Sequence, residues 1–227
     1  MRLVLLITAL LFAPAASEAG AWPREVGKTF VALSFSGAAD PLDLAAGEIK
    51  LDGYTAAYLE HGLTPRLTVG IDAGRGDGGS YSALAFARYP VGPTGGKTIY
   101  ALKAGVGHST LGGQGGMVAA LGLDIGRGIS TDLGNGWLGL ESWASYNVRR
   151  QSYTVKADLT AGLTLNDHTK VMVQMQLGRN SASGSYVRLA PSIVRQFGKS
   201  TSAELGVQAG LIGDRKVAIK LGTWLEF

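Results

Sequence analysis

The side chains able to do acid–base or nucleophilic chemistry are few and dispersed. His108 and Ser109 stand side by side in KAGVGHST. Neighbours on an extended strand point to opposite faces, so this histidine cannot activate that serine, and a partner would have to come from another strand. The three histidines, His61, His108 and His168, are never at metal-ligand spacing, so no metal is expected. GPTGGKT has the look of a phosphate loop, but the glycine required six positions before Lys97 is Val91, and no helix follows to hold a phosphate; it reads as a Gly-Pro turn. No catalytic residue and no cofactor are expected.

What remains is a set of charges: Arg88, Lys103, Asp124, Glu141, Lys156, Asp158 and Arg188, joined by Glu60, Arg66, Asp72, Glu204 and Lys220. Each lies in a stretch that alternates polar and apolar residues, and each falls on the polar side. Such a face, with both signs in similar numbers, has two uses inside a narrow tube. The charges can pair and fill it, or they can line an aqueous path and set its selectivity.

The elements that must position these charges are β-strands. In 117–126, Met117, Ala119, Leu121, Leu123 and Ile125 oppose Val118, Ala120, Gly122, Asp124 and Gly126. In 153–163, Tyr153, Val155, Ala157, Leu159, Ala161 and Leu163 oppose Thr154, Lys156, Asp158, Thr160 and Gly162. Clusters of Gly, Asn, Asp and Pro punctuate twelve such segments, near 27–36, 50–61, 66–75, 80–89, 97–109, 117–128, 136–149, 153–164, 169–178, 185–196, 201–212 and 216–227. Each apolar face is about five residues long, which at roughly 3.3 Å per residue and a tilt near 40° covers about 25 Å, the lipid-facing height of a membrane barrel. Tyr81, Tyr89, Tyr100, Tyr146, Tyr153 and Phe227 sit toward the ends of apolar faces, as a girdle would. Gly is the commonest punctuation, with 34 copies, and inward Gly70, Gly74, Gly105, Gly107, Gly122, Gly126, Gly162, Gly206, Gly210 and Gly222 are expected to leave the interior roomy.

The opening MRLVLLITALLFAPAASEA has a basic start, an apolar run and small residues before a cut, the form of a signal peptide. Ser17-Glu18-Ala19 and Ala19-Gly20-Ala21 both fit the cleavage pattern; the boundary is placed at 1–21, with a barrel over 22–227. Arg2 and Glu18 leave together, so the charge of the exported chain stays at +4, too mild and dispersed for nucleic acid. The absence of cysteine excludes a lipid anchor and a disulfide framework. After the leader no apolar run reaches the roughly 18 residues of a membrane helix, so any crossing must be by strands. The connections are short, which suits neither an adhesin nor a large-ligand receptor. Only 37–49, GAADPLDLAAGEI, is long enough for a lid or an inward fold.

The hairpin YLEHGLTPRLTVGIDAG (Tyr58 to Gly74), the start GAWPREVGKTF and the terminal strand KVAIKLGTWLEF resemble small proteobacterial outer-membrane β-barrel proteins. The resemblance covers the two ends and one hairpin. It implies that Phe227 is read by the barrel-insertion machinery and that the chain sits in the outer membrane; members of the group are often assigned by analogy as channels for small, sometimes aromatic, compounds, and the substrate is left open. The expected fold is therefore all-β, a transmembrane antiparallel up-and-down barrel of about 12 strands in the bacterial outer membrane, its termini periplasmic and its exterior against outer-membrane lipid. The expected function is a small passive pore for solutes, with Arg88, Lys103, Asp124, Glu141, Lys156, Asp158 and Arg188 lining the lumen. The alternatives are a closed structural barrel and, from a different class, an outer-leaflet lipid-modifying enzyme using His108.

Overall fold

Strands that are apolar on one side only cannot leave an edge unpaired in lipid, and closing the sheet on itself removes the edges. The computed structural model describes residues 20–227, so the expected leader, apart from Gly20 and Ala21, lies outside the described residues. Twelve antiparallel strands close into one barrel. They are β1 (Thr29–Ala39), β2 (Asp52–Gly62), β3 (Thr68–Gly76), β4 (Tyr81–Val91), β5 (Thr98–Leu111), β6 (Gln114–Thr131), β7 (Gly134–Asn147), β8 (Ser152–Asn166), β9 (Thr169–Asn180), β10 (Gly184–Gln196), β11 (Thr201–Ile212) and β12 (Val217–Glu226). Each pairs with its sequence neighbours, and β12 returns to β1 in the register Phe30↔Glu226 through Ala39↔Val217. Phe227 extends this seam: its amide donates to the Thr29 carbonyl at 3.0 Å and its carbonyl accepts from the Thr29 amide at 2.7 Å. Among the described residues no helix is long and apolar enough to cross a membrane.

The outward face is apolar from strand to strand, with Leu33, Ile71, Val106, Leu121, Val155, Val173, Leu205, Ile219 and their neighbours all exposed. Tyr89, Tyr100, Phe197 and Phe227 ring the end that holds the C-terminus, and Tyr81, Tyr146 and Tyr153 ring the other. This is a lipid-facing belt with two aromatic girdles.

Three expectations are corrected. The 37–49 segment does not turn inward. It carries a short helix, α1 (Pro41–Ala45), capped by the Asp40 carboxylate accepting from the Leu42 amide at 2.9 Å, and it leaves Leu42, Leu44 and Ile49 exposed. Arg66 is not on the inner face, because β3 begins only at Thr68; its guanidinium donates to the carbonyls of Pro90 and Gly92 and covers the Tyr89 ring. The inward glycines do not simply leave space either. A Cβ at Gly70 would overlap the ring of Phe86, at Gly74 that of Tyr54, at Gly126 that of Trp22 and at Gly162 that of Trp137. Large rings lie flat on the wall where the wall has no side chain.

The segment that does enter the barrel is the one before β1. From Gly20 to Arg24 the chain runs inside the wall. It then passes over Gly62, where Val26 forms a parallel bridge, and turns at Gly27 (φ +79°) into β1. The turn needs a left-handed backbone, which glycine supplies.

Candidate functional site: the barrel lumen

The lumen is furnished asymmetrically. Over β4–β6 it is filled. Ala21 is 1% exposed and packs on Ile99 and Ala101 of β5, with Trp22 beside it. The Trp22 carbonyl accepts from Arg88 at 3.2 Å, and the Arg24 amide donates to Thr68 Oγ1 at 3.0 Å. Around this strap runs an ion network. Arg88 Nη1 lies 2.5 Å from Glu60 and 3.8 Å from Asp124, Lys103 Nζ lies 2.6 Å from Asp124, and Arg24 Nε donates to Glu60 at 2.7 Å. Glu60 and Asp124 are 0% exposed, Arg88 1% and Lys103 5%, so these charges are answered by one another and not by water. Alternate positions on β2, β4, β5 and β6 bring them to one level. Arg88 and Lys103 are direct cross-strand partners, an unfavourable like-charge pair that the two carboxylates offset.

Aromatic rings extend the filling. Tyr58 donates to Glu60 at 2.5 Å and stacks on Phe86 at 5.9 Å; Phe86 meets Trp143 edge-on, and the Lys103 ammonium sits 4.4 Å from the Trp143 ring centroid. All four tryptophans of the chain, Trp22, Trp137, Trp143 and Trp224, are inside the barrel, and the girdles are left to Tyr and Phe. The strand pattern carries a signal for Trp137, Trp143 and Trp224, each of which shares the parity of an inner charge.

Opposite the filling lies a cavity of about 250 Å³, bounded by nine of the twelve strands and by none of β4–β6. Phe30, Tyr58, Trp137, Met172 and Trp224 give it an apolar side, and Asp72, Glu141, Gln174, Glu204, Gln208 and Lys220 a polar one. Glu204 accepts from Lys220 at 2.8 Å and from the Trp224 indole at 3.1 Å. A smaller space of about 60 Å³ at the mouth of β9–β12 holds Asp167, His168, Ser200 and Glu226. Trp224 borders both spaces and separates them.

The seven sequence-derived charges thus divide. Arg88, Lys103 and Asp124 form the buried network. Glu141 and Asp158 continue the row from Asp124 across β7 and β8, as the pairs Asp124↔Glu141 and Glu141↔Asp158 show, and Lys156 is on the same face one step away. Arg188 stands near the opposite mouth, ion-paired with Asp214 at 2.8 Å. The strap escapes a reading by periodicity because it precedes the first alternating segment and carries no period of its own.

His108 and Ser109 do fall on opposite faces. His108 Nδ1 meets the Tyr81 hydroxyl at 3.0 Å on the outside, while Ser109 Oγ is held from Asn147 at 3.1 Å and Arg150 at 2.9 Å. Neither residue contacts the other's partner, so this pair has no nucleophile–base geometry. Among the described residues no cluster of three or more His, Cys, Asp or Glu could hold a metal ion.

A closed barrel with a greasy belt and a furnished interior is the architecture of proteins that cross the bacterial outer membrane on strands. No family model matches the chain and no curated protein matches it in sequence. Solved structures do share its fold. An outer membrane channel from Pseudomonas putida F1 aligns with a TM-score of 0.62 over 91% of this chain and 98% of that one, at 10% identity. The KdgM porin aligns at 0.58 over 86% and 99%, also at 10% identity. An active-site variant of outer membrane phospholipase A from Escherichia coli aligns at 0.50 over 90% and 91%, at 12% identity. The chain therefore has the fold of the outer-membrane β-barrels, and its apolar exterior belongs in that membrane's lipid.

Proposed function

We propose that the protein is a passive outer-membrane pore for small solutes, with a path that follows the β7–β12 wall past Trp137, Gln174 and Lys220 and is narrowed at Trp224. The carrying observation is the cavity itself: water-sized space bounded by nine strands, polar on one side, beside a filling centred on the remaining three. The overall likeness to a channel and a porin agrees with this reading. Of the carboxylates that border the cavity, Glu204 is matched by Lys220 while Asp72 has no ion pair among the described residues, so the wall keeps a negative excess whether or not Glu141 is paired. A pore lined this way passes cations more readily than anions.

Planar-bilayer recording of the purified protein tests the proposal. Small steps with a cation-favouring reversal potential in a salt gradient are expected, and Asp72→Asn together with Gln208→Lys should move that potential toward anions. Silence in the bilayer under all conditions would instead favour a closed structural barrel, the reading to which the buried Glu60–Arg88–Asp124–Lys103 network lends weight.

A further inference from the structure

The strap brings the beginning of the described chain to an unanswered charge. A Cβ placed at Gly20 would stand 3.4 Å from Glu141 Oε1, with Cγ and Cδ of the same side chain at 3.7 and 3.8 Å. Glu141 is the middle member of the row Asp124–Glu141–Asp158, three carboxylates directly opposed across β6, β7 and β8. Like charges so placed repel, and each needs a cation nearby. Asp124 has Lys103 at 2.6 Å. Among the described residues Glu141 has no ion pair and no side-chain hydrogen bond. Gly20 is held in place by its neighbours in the strap: Ala21 buried against Ile99 and Ala101, Trp22 laid on Gly126, and the Trp22 carbonyl bound by Arg88.

We propose that the mature chain begins at Gly20 and that its α-ammonium is a fixed lumen charge, paired with Glu141. Ser17-Glu18-Ala19 supplies the small-x-small pattern for that cut. Leader peptidase hydrolyses the Ala19–Gly20 amide: water adds hydroxyl to the Ala19 acyl carbon, and the Gly20 nitrogen leaves protonated. A neutral amide with one N–H becomes an ammonium with three, beside the carboxylate of the row that this backbone position reaches and that has no ion pair among the described residues. The other cut, after Ala21, would begin the chain at Trp22, discard the buried Ala21 and leave Glu141 without a counter-charge. Processing thus adds to the lumen a charged group that no side chain carries, and it ties down the strap that fills β4–β6. The inference rests on the lumen geometry and does not require that the barrel conduct.

The test uses the full chain, expressed with its leader and purified from outer membranes in detergent. Intact mass and N-terminal peptide analysis should give Gly20 as the first residue. An aldehyde reagent selective for α-amines is then applied near neutral pH to native protein, to urea-unfolded protein and to the folded variants Glu141→Gln and Asp158→Asn, folding being checked by heat-shifted gel mobility. Pairing with a carboxylate lowers the free-amine fraction about tenfold, so native labelling should be about tenfold slower than unfolded. Glu141→Gln should recover most of that rate and Asp158→Asn little of it. A first residue other than Gly20, or equal labelling of wild type and Glu141→Gln, overturns the proposal; so does an equal gain in both variants.

Discussion

The indole of Trp22 lies on Gly126 so closely that a Cβ at that glycine would overlap three of its ring carbons. A barrel wall that bears no side chain at this level is therefore what seats the strap. Gly126→Val should expel it, and because the strap fills the β4–β6 side of the lumen, bilayer conductance should rise severalfold while heat-shifted mobility still reports a closed barrel. Unchanged conductance in the folded variant would mean that the strap does not limit the path.

Trp224 separates the main cavity from the space at the mouth of β9–β12 and meets Phe30 edge-on at 5.7 Å. Trp224→Ala should join the two spaces and speed the uptake of small sugars in liposome swelling. It also removes the 3.1 Å donor to Glu204, and losing a partner of a buried acceptor costs about 1–3 kcal/mol, to be read as a lower urea midpoint.

Arg88 is the shared cation of Glu60 and Asp124. Arg88→Met leaves buried carboxylates underpaired, and breaking a buried pair on one side costs about 3–5 kcal/mol. Arg88→Met combined with Glu60→Gln should cost less than the sum of the two single changes. A double-mutant cycle by urea unfolding in detergent measures the difference, and additive costs would show that the short distance carries no coupling.

Leu121 is 68% exposed on the lipid face of β6. Leu121→Arg should destabilise the barrel by about 2–4 kcal/mol if it lies near the bilayer midplane. Gln208→Lys, on the lumen face of β11, should cost under about 1 kcal/mol, because water reaches it from the cavity. Equal costs would remove the inside-outside assignment.

Removing Phe227 deletes both backbone bonds that join the chain end to Thr29. The expected outcome is a lower yield of folded barrel in cells and a smaller loss on refolding into vesicles in vitro, where no insertion machinery reads the terminal residue. Equal losses in both settings would assign Phe227 to the seam alone.

Much of the fold is legible because a strand in lipid must show apolar residues at every second position. Leu121 and Asp124 declare their faces by parity alone, and the turns declare themselves by Gly, Asn, Asp and Pro. Length alone suggests a lid at 37–49, and length misleads there: its Asp40 cap and Pro41 give it a small helix of its own, and nothing in it complements the lumen. The strap is illegible because Trp22 becomes informative only when Gly126 is known to lie beneath it, 104 positions further on.

By itself the sequence indicated about twelve strands and the face of each, because alternation and turn chemistry are local properties of the chain; the fold fixes the count at twelve and closes β12 on β1. Only the tertiary structure decided what occupies the inside. Parity says that Glu60, Arg88, Lys103 and Asp124 face inward, but strand tilt and register set the height of each, and height determines whether charges from different strands meet as a buried network or stand apart in water.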